Sequence, residues 1–256
     1  MRYEILGSLR VVHGGRESAL RAHKAEVLLA VLLVRANQIV PSDTLVRELW
    51  ADSPPRRASD GLYVYICQLR KFLSGVSGGH RQIQTRSPGY SLRLEDGELD
   101  LHAFQAAVLD GRRRLDRQDW DAAVAVFDRA LDLWRDAPFG GLPGGPILSG
   151  FALWLEEARL ECLELRMTAL IMSGRHREAV NELFSLTAAH PVHEAFYQLL
   201  MLALYRSNRQ ADAVRVYRRA RSLIVDEIGL EPGRAMRDLH QAILVADSSL
   251  DTMAAI

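Results

Sequence analysis

The segment from Pro54 to Leu94 limits the fold most tightly, because it spells a helix, a short connection and a two-stranded hairpin in that order. Ala58, Leu62, Ile66, Leu69 and Leu73 share one face at the intervals of three and four that a 3.6-residue repeat requires, so this stripe is predicted to enter a core. The opposite face carries Arg57, Asp60, Val64, Cys67 and Lys71, flanked by Arg56, Tyr63, Gln68 and Arg70. The hairpin strands meet at Ser87-Pro88-Gly89, with Thr85 and Arg86 just before the turn. A helix of this length fits the DNA major groove, where Arg, Lys and Gln reach base edges or phosphates. The competing reading is a solvated face, since Arg and Lys lie outside in most helices. The hairpin bearing Arg86 favours a recognition helix followed by a wing. On that helix Tyr65 borders the core stripe and Tyr63 lies more laterally, which makes Tyr63 the better DNA candidate.

The residues before this segment supply the rest of such a module. Residues 2–20 alternate and are broken by Gly7 and Gly14-Gly15, which predicts short antiparallel strands. Lys24–Arg35 concentrates Val27, Leu28, Val31, Leu32 and Val34 in a compact helix that is mostly core. Val40-Pro41-Ser42-Asp43 opens another helix, with Ser42 or Asp43 available to cap it, and Leu45, Val46, Leu49 and Trp50 form its buried stripe. Strands, three helices and a terminal hairpin predict an α+β winged helix-turn-helix.

Charge divides the chain in the same place. Lys plus Arg and Asp plus Glu number 32 each, for a net charge of zero. Residues 1–94 hold 14 basic and 7 acidic side chains, a net +7; the remainder holds 18 and 25, a net −7. A neutral chain with opposed halves fits a DNA-facing module joined to one that faces something else. The acidic, Gly-containing Glu95-Asp96-Gly97-Glu98 marks the expected boundary, giving domains 1–96 and 97–256.

Beyond Leu101 nothing reads as strand. Three stretches resemble one another: Arg117–Val124, Ser173–Val180 and Ser207–Val214. The last two are 34 residues apart, from Gly174 to Asn208, which is the period of the tetratricopeptide repeat, where paired antiparallel helices stack. Pro191 and Pro232 fall where the second helix of a repeat should end. The first stretch precedes the second by 56 residues, and the Gly- and Pro-rich Asp136–Pro146 is expected to be a long loop that interrupts the array. The second domain is therefore predicted to be all-α and tetratricopeptide-like, with a poorly ordered tail after about 247.

Enzyme signatures fail. His193-Glu194-Ala195-Phe196-Tyr197 begins like a zinc-protease motif, but Tyr197 stands where the second histidine ligand should be. Gly140–Gly145 lacks the phosphate-loop pattern, and no Gly-x-Ser-x-Gly nucleophile elbow occurs. Cys67 and Cys162 have neither metal-ligand nor redox spacing. No catalytic residue, cofactor or metal is expected. Phe127, Leu131 and Trp134, and likewise Phe196, Leu200 and Leu204, are expected to pack between helices. The opening Met-Arg-Tyr-Glu-Ile-Leu-Gly lacks the apolar run of a signal peptide, and no stretch approaches the roughly 20 apolar residues of a membrane span. A cytoplasmic location follows as an expectation.

Taken in order, the motifs resemble the short form of the Streptomyces antibiotic regulatory protein family. The N-terminal half is similar to the OmpR/PhoB-type DNA-binding domain through Leu45–Trp50, Tyr63–Lys71 and Pro88-Gly89-Tyr90. The C-terminal half is similar to the bacterial transcriptional activation domain through Leu202–Ala211, Tyr217–Arg221 and Asp226–Gly233. Cys67 and Gln68 depart from the family, whose members more often carry a small polar residue and Arg there. The resemblance implies an activator of a secondary-metabolite gene cluster that binds direct repeats near promoters and helps recruit RNA polymerase holoenzyme, through sigma factor or other subunits. The chain opens on the DNA-binding module, so no phosphoacceptor receiver is expected before it.

The expected partners are double-stranded DNA, RNA polymerase and a second protomer side by side on the DNA, since no element suited to two-fold dimerisation is evident. The expected DNA-contacting set is Arg56, Arg57, Asp60, Tyr63, Val64, Cys67, Gln68, Arg70, Lys71, Thr85 and Arg86. The alternative is a scaffold on a degenerate winged helix that binds proteins or a ligand without DNA; the basic cluster on helix and wing opposes it.

Overall fold

The computed structural model describes residues 1–20, 22–51, 53–77 and 82–251. Two compact units emerge. The first takes in residues 1–107 and 130–159, the second residues 108–129 and 160–256.

In the first unit, β1 (Arg2–Glu4), β2 (Arg10–His13) and β3 (Arg16–Ser18) form an antiparallel sheet in that order. Tyr3 pairs with Val11, and both side chains are buried, as the alternation predicts. Helix α1 (His23–Val34) buries every residue from Val27 to Leu33, so it is the centre of the unit and not an amphipathic surface helix. Then come β4 (Val40–Pro41), α2 (Ser42–Trp50), α3 (Ala58–Ser77) and the hairpin β5 (Ile83–Arg86) with β6 (Gly89–Leu92). β6 lies between β4 and β5.

The start of α2 differs from the sequence expectation. Its N-cap is Pro41, and no side chain caps it. The Ser42 amide and hydroxyl both donate to the Pro88 carbonyl, at 3.2 Å each, which ties this helix to the hairpin turn. The segment Asp136–Pro146, expected as a loop that interrupts the array, is packed into the first unit. The Arg135 amide donates to Leu6 O and the Phe139 amide to Ile5 O, both at 2.9 Å.

Two buried carboxylates fix these segments. Asp100 opens α4 (Asp100–Asp116) and accepts the Ile5 amide at 3.0 Å and the Leu6 amide at 3.1 Å. Burial pushes its carboxyl up, outweighing those amides and Arg135, whose Nη2 lies 3.7 Å away. Glu4 faces the same burial, but Arg10 at 2.6 Å, with Arg135 and Arg2, holds it below the usual carboxylate range. Glu48 of α2 accepts the amides of Ile147 at 2.8 Å and Leu148 at 3.3 Å, the first turn of α6 (Pro146–Met172). A carboxylate there satisfies orphan amides and complements the helix dipole. A Cβ on Gly145 would stand 2.7 Å from Glu48 Cα, so this approach requires glycine. The first compact unit thus extends past the acidic segment 95–98, because buried backbone donors on each side need acceptors from the other.

The second unit holds most of the paired helices: the end of α4, most of α5 (Trp120–Leu131), the second half of α6, then α7 (His176–Ala189), α8 (Glu194–Arg206), α9 (Gln210–Ile228) and α10 (Arg234–Leu244). The three similar stretches of sequence are three equivalent turns. Gln118, Gly174 and Asn208 each take a left-handed φ, of 59°, 80° and 59°. The next amide bonds the carbonyl five residues back in every case: Asp119 to Arg114, Arg175 to Leu170 and Arg209 to Leu204. This is a helix C-terminal motif that satisfies trailing carbonyls while reversing the chain. Phe127, Phe196, Leu200 and Leu204 are buried as expected. Within the stretch expected as a tail, Ser248–Asp251 forms a 3-10 turn with Leu250 buried and its carbonyl accepting Arg206 Nε at 2.9 Å. The rest of the expected tail, residues 252–256, lies outside the described residues.

Glu48→Ala is expected to lower stability by about 1–3 kcal/mol, because it leaves one buried and one part-buried amide without their acceptor. Glu48→Gln, which keeps one carbonyl acceptor, should lose about half as much. Urea unfolding measures both, and equal midpoints for all three proteins would refute the role assigned to Glu48.

Candidate nucleic-acid interface

Helix α3 is positioned by one-sided burial. Leu62, Ile66, Leu69 and Leu73 are essentially inaccessible, while Ala58 is half-buried. Gly61 lets the Trp50 ring close on the helix, since a Cβ there would lie 3.2 Å from it. Trp50 also meets Tyr65 at 6.2 Å, and Lys24 lies 4.9 Å above its ring while donating to Leu49 O at 2.6 Å. With that stripe inside, Tyr63 is 60% and Val64 50% exposed, so Tyr63 points outward and Tyr65 inward as the helical wheel requires.

Asp60, Tyr63, Val64, Cys67, Gln68 and Lys71 all lie on the exposed side of α3. Arg56 and Arg57 are exposed as well but precede the helix, in the turn that leads into it, where the sequence placed them on the helical face. Asp60 sits in the first turn, where a carboxylate complements the helix dipole. Tyr63 and Cys67 are one turn apart, and their side-chain hydrogen bond pushes the exposed phenol above its ordinary value.

Arg70 and Thr85 have a task that the sequence did not disclose: they hold the wing to the helix. Arg70 Nε donates to Ile83 O at 3.2 Å and Nη2 to Thr85 Oγ1 at 2.8 Å, and the guanidinium lies 5.8 Å over the Tyr90 ring. Arg86, exposed near the wing tip, donates from Nε and Nη2 to Gln84 Oε1 at 3.2 and 3.0 Å. Gln84 was missed, although the period-2 rule places it on the same side of β5 as Arg86. Directly after the hairpin turn, position 89 tolerates only glycine, because a Cβ there would stand 1.9 Å from Val40 O. A cleft of about 650 Å³ opens between α3 and the wing, lined by Arg70, Lys71, Ser74, Gln82, Gln84 and Thr85.

Elsewhere, the protease-like motif is accounted for by packing. His193 Nε2 lies 2.6 Å from Glu164 Oε1, and Glu194 accepts the Gly233 amide at 3.0 and 2.8 Å, ahead of α10. Among the described residues no group of three or more His, Cys, Asp or Glu side chains is placed to hold a metal, and no helix is long and apolar enough to cross a membrane. Cys162 is buried, which pushes its thiol up to about 12.

A supporting helix, an exposed second helix and a wing define a winged helix-turn-helix. The family model described as "Transcriptional regulatory protein, C terminal" matches residues 16–92, and that described as "Bacterial transcriptional activator domain" matches residues 99–244. The chain is 34% identical over 257 residues to the regulatory protein DnrI of Streptomyces peucetius, covering 98% of this chain and 94% of DnrI. It is 38% identical to the regulatory protein AfsR of Streptomyces coelicolor over its whole length, but spans only 25% of AfsR. Mycobacterium tuberculosis EmbR, solved in complex with a low affinity phosphopeptide, matches with a TM-score of 0.89 and 30% identity over 99% of this chain and 69% of that one. The chain belongs to the Streptomyces antibiotic regulatory protein type of transcriptional activators.

Arg70→Met should loosen the wing without unfolding α3. Hydrogen exchange at Thr85 and Arg86 is expected to quicken by about fivefold, the scale of one charged hydrogen bond near the surface. Unchanged exchange would show that other contacts hold the wing.

Proposed function

We propose that this regulator binds double-stranded DNA with α3 in the major groove and the wing on the neighbouring backbone, and that it activates a secondary-metabolite gene cluster by helping to recruit RNA polymerase holoenzyme. The observation that carries this reading is the distribution of exposed charge. Arg56, Arg57, Lys71 and Arg86 ring a helix whose opposite side is buried, in a segment of net +7. Gln68 and Lys71 lie on its exposed face as base-reading candidates, with Tyr63, Val64 and Cys67 beside them. Arg56, Arg57 and Arg86, on a turn and a strand end, suit phosphate contacts. Arg70 and Thr85 contribute by orienting the wing, and Asp60 by its place in the first turn of α3.

In this reading residues 1–96 carry DNA binding and residues 97–256, net acidic, meet sigma factor or another polymerase subunit. Two protomers packed head to tail fit direct repeats, whereas an isologous pair would fit a palindrome. Recognition helices on one side of the duplex require repeats about 10 to 11 bp apart or a multiple of that.

Mobility shifts on the promoter DNA of the adjoining gene cluster test the reading. Neutralising Lys71 or truncating Gln68 should cost about 1 to 3 kcal/mol on the specific site and relax preference at one position. Arg86→Ala should weaken specific and random DNA alike and lower the salt-dependence slope by about 1. Inserting about half a turn, ~5 bp, between repeats should abolish cooperative binding, and a full turn should restore part of it. Absence of binding to any promoter fragment would leave the scaffold alternative standing; tolerance of the half-turn insertion would remove the tandem arrangement alone.

A further inference from the structure

A groove in the second unit, along α7, α8 and α9, encloses about 500 Å³. Phe184, Tyr197, Leu200, Val216 and Leu223 make its apolar wall. Tyr197 and Leu200 are buried, but the Phe184 ring is 45% exposed. A large aromatic left open on a concave apolar surface is the feature that distinguishes a binding cleft from ordinary interhelix packing.

The polar edge of the groove is cationic. Arg209, Arg215 and Arg219 all border it, opposed by one carboxylate, Asp212. Asp212 already serves two of them, Arg209 at 2.7 Å and Arg215. Arg219 is exposed at the rim, has no carboxylate or hydrogen-bond partner among the described residues, and acts electrostatically on the Tyr197 phenol. Local charge is thus positive within a segment whose net charge is −7. A neutral hydrocarbon would fill the wall and leave Arg219 to water alone; a simple inorganic anion would pair with Arg219 and leave the wall wet.

We propose that this groove binds a small amphipathic organic anion, with a compact aromatic or branched hydrocarbon body against Phe184, Val216 and Leu223 and a single carboxylate or sulfonate at Arg219. Its volume lies within the roughly 300–1,000 Å³ of small-molecule clefts. The proposal is independent of DNA recognition.

Fluorescence titration of the intact chain tests it with two probes that share one ring system, anilinonaphthalenesulfonate and the uncharged N-phenylnaphthylamine. The anionic probe should saturate at one per chain. Arg219→Gln is expected to weaken it about tenfold, with Arg219→Lys recovering part of the loss, while the neutral probe changes less than twofold. Phe184→Ala should weaken both probes by about fivefold. Leu230→Ser, which removes an exposed apolar side chain outside the groove, should affect neither. Circular dichroism establishes that each variant is folded. The proposal is overturned if Arg219→Gln leaves the anionic probe unchanged or weakens both probes equally. Displacement of the probe by acidic peptides of about ten residues, with none by naphthoate, would make the groove a peptide site and equally overturn it.

Discussion

Two carboxylates that accept backbone amides in the interior of the first unit hold the remaining structure in register. Glu48, on the supporting helix of the helix-turn-helix, receives the opening amides of α6, and Asp100 receives those of Ile5 and Leu6. Both acids are at least 94% buried. A buried amide without an acceptor costs about 1–3 kcal/mol, so three such donors and the part-buried Ile147 amide set a strong preference for one arrangement. The arrangement has a consequence for recognition. Because α2 is held between the α6 start and the hairpin turn, and Trp50 at its end packs on Gly61 and Tyr65, the angle at which α3 leaves the unit is decided by contacts far from its exposed face.

Recognition geometry also depends on a division of labour among similar side chains. Arg70 is spent on the wing, where a planar guanidinium can bond a carbonyl and a hydroxyl while covering the Tyr90 ring. Arg56, Arg57, Lys71 and Arg86 remain on the outside. One half-buried arginine thus fixes the distance between the helix and the wing that others present to a ligand. A lysine would offer its donors from a single nitrogen, without the spread of the fork or the planar face that covers Tyr90.

The second unit is assembled on a different principle, repetition of one turn. A left-handed residue and a bond to the carbonyl five residues back reverse the chain at 118, 174 and 208 in the same way. Gln and Asn take the role of Gly at two of the three, at the modest cost of a left-handed side-chain residue. Equal turns give helix pairs of like geometry, and a groove lined from consecutive helices follows from that regularity.

Periodicity made much of this legible in advance. The stripe Leu62, Ile66, Leu69 and Leu73, the outward Tyr63, the alternating first strands and the three helix-pair turns are local properties, and residues within a turn or a strand decide them. What the sequence alone could not disclose was partnership at long range. Nothing in the text around Arg70 separates it from Lys71, yet one clamps the wing and the other faces outward. Asp136–Pro146 read as an interruption because Gly and Pro signal the absence of helix, not the presence of an acceptor at Glu48 or Ile5. Likewise Ser42 looked like a cap, and the tertiary fold gave its hydroxyl to Pro88 instead. Local pattern is written by neighbours three or four residues apart, whereas a hydrogen bond between residues about 100 apart exists only once the chain has folded, and that is why the sequence determined the elements and the tertiary structure decided which side chains they leave exposed.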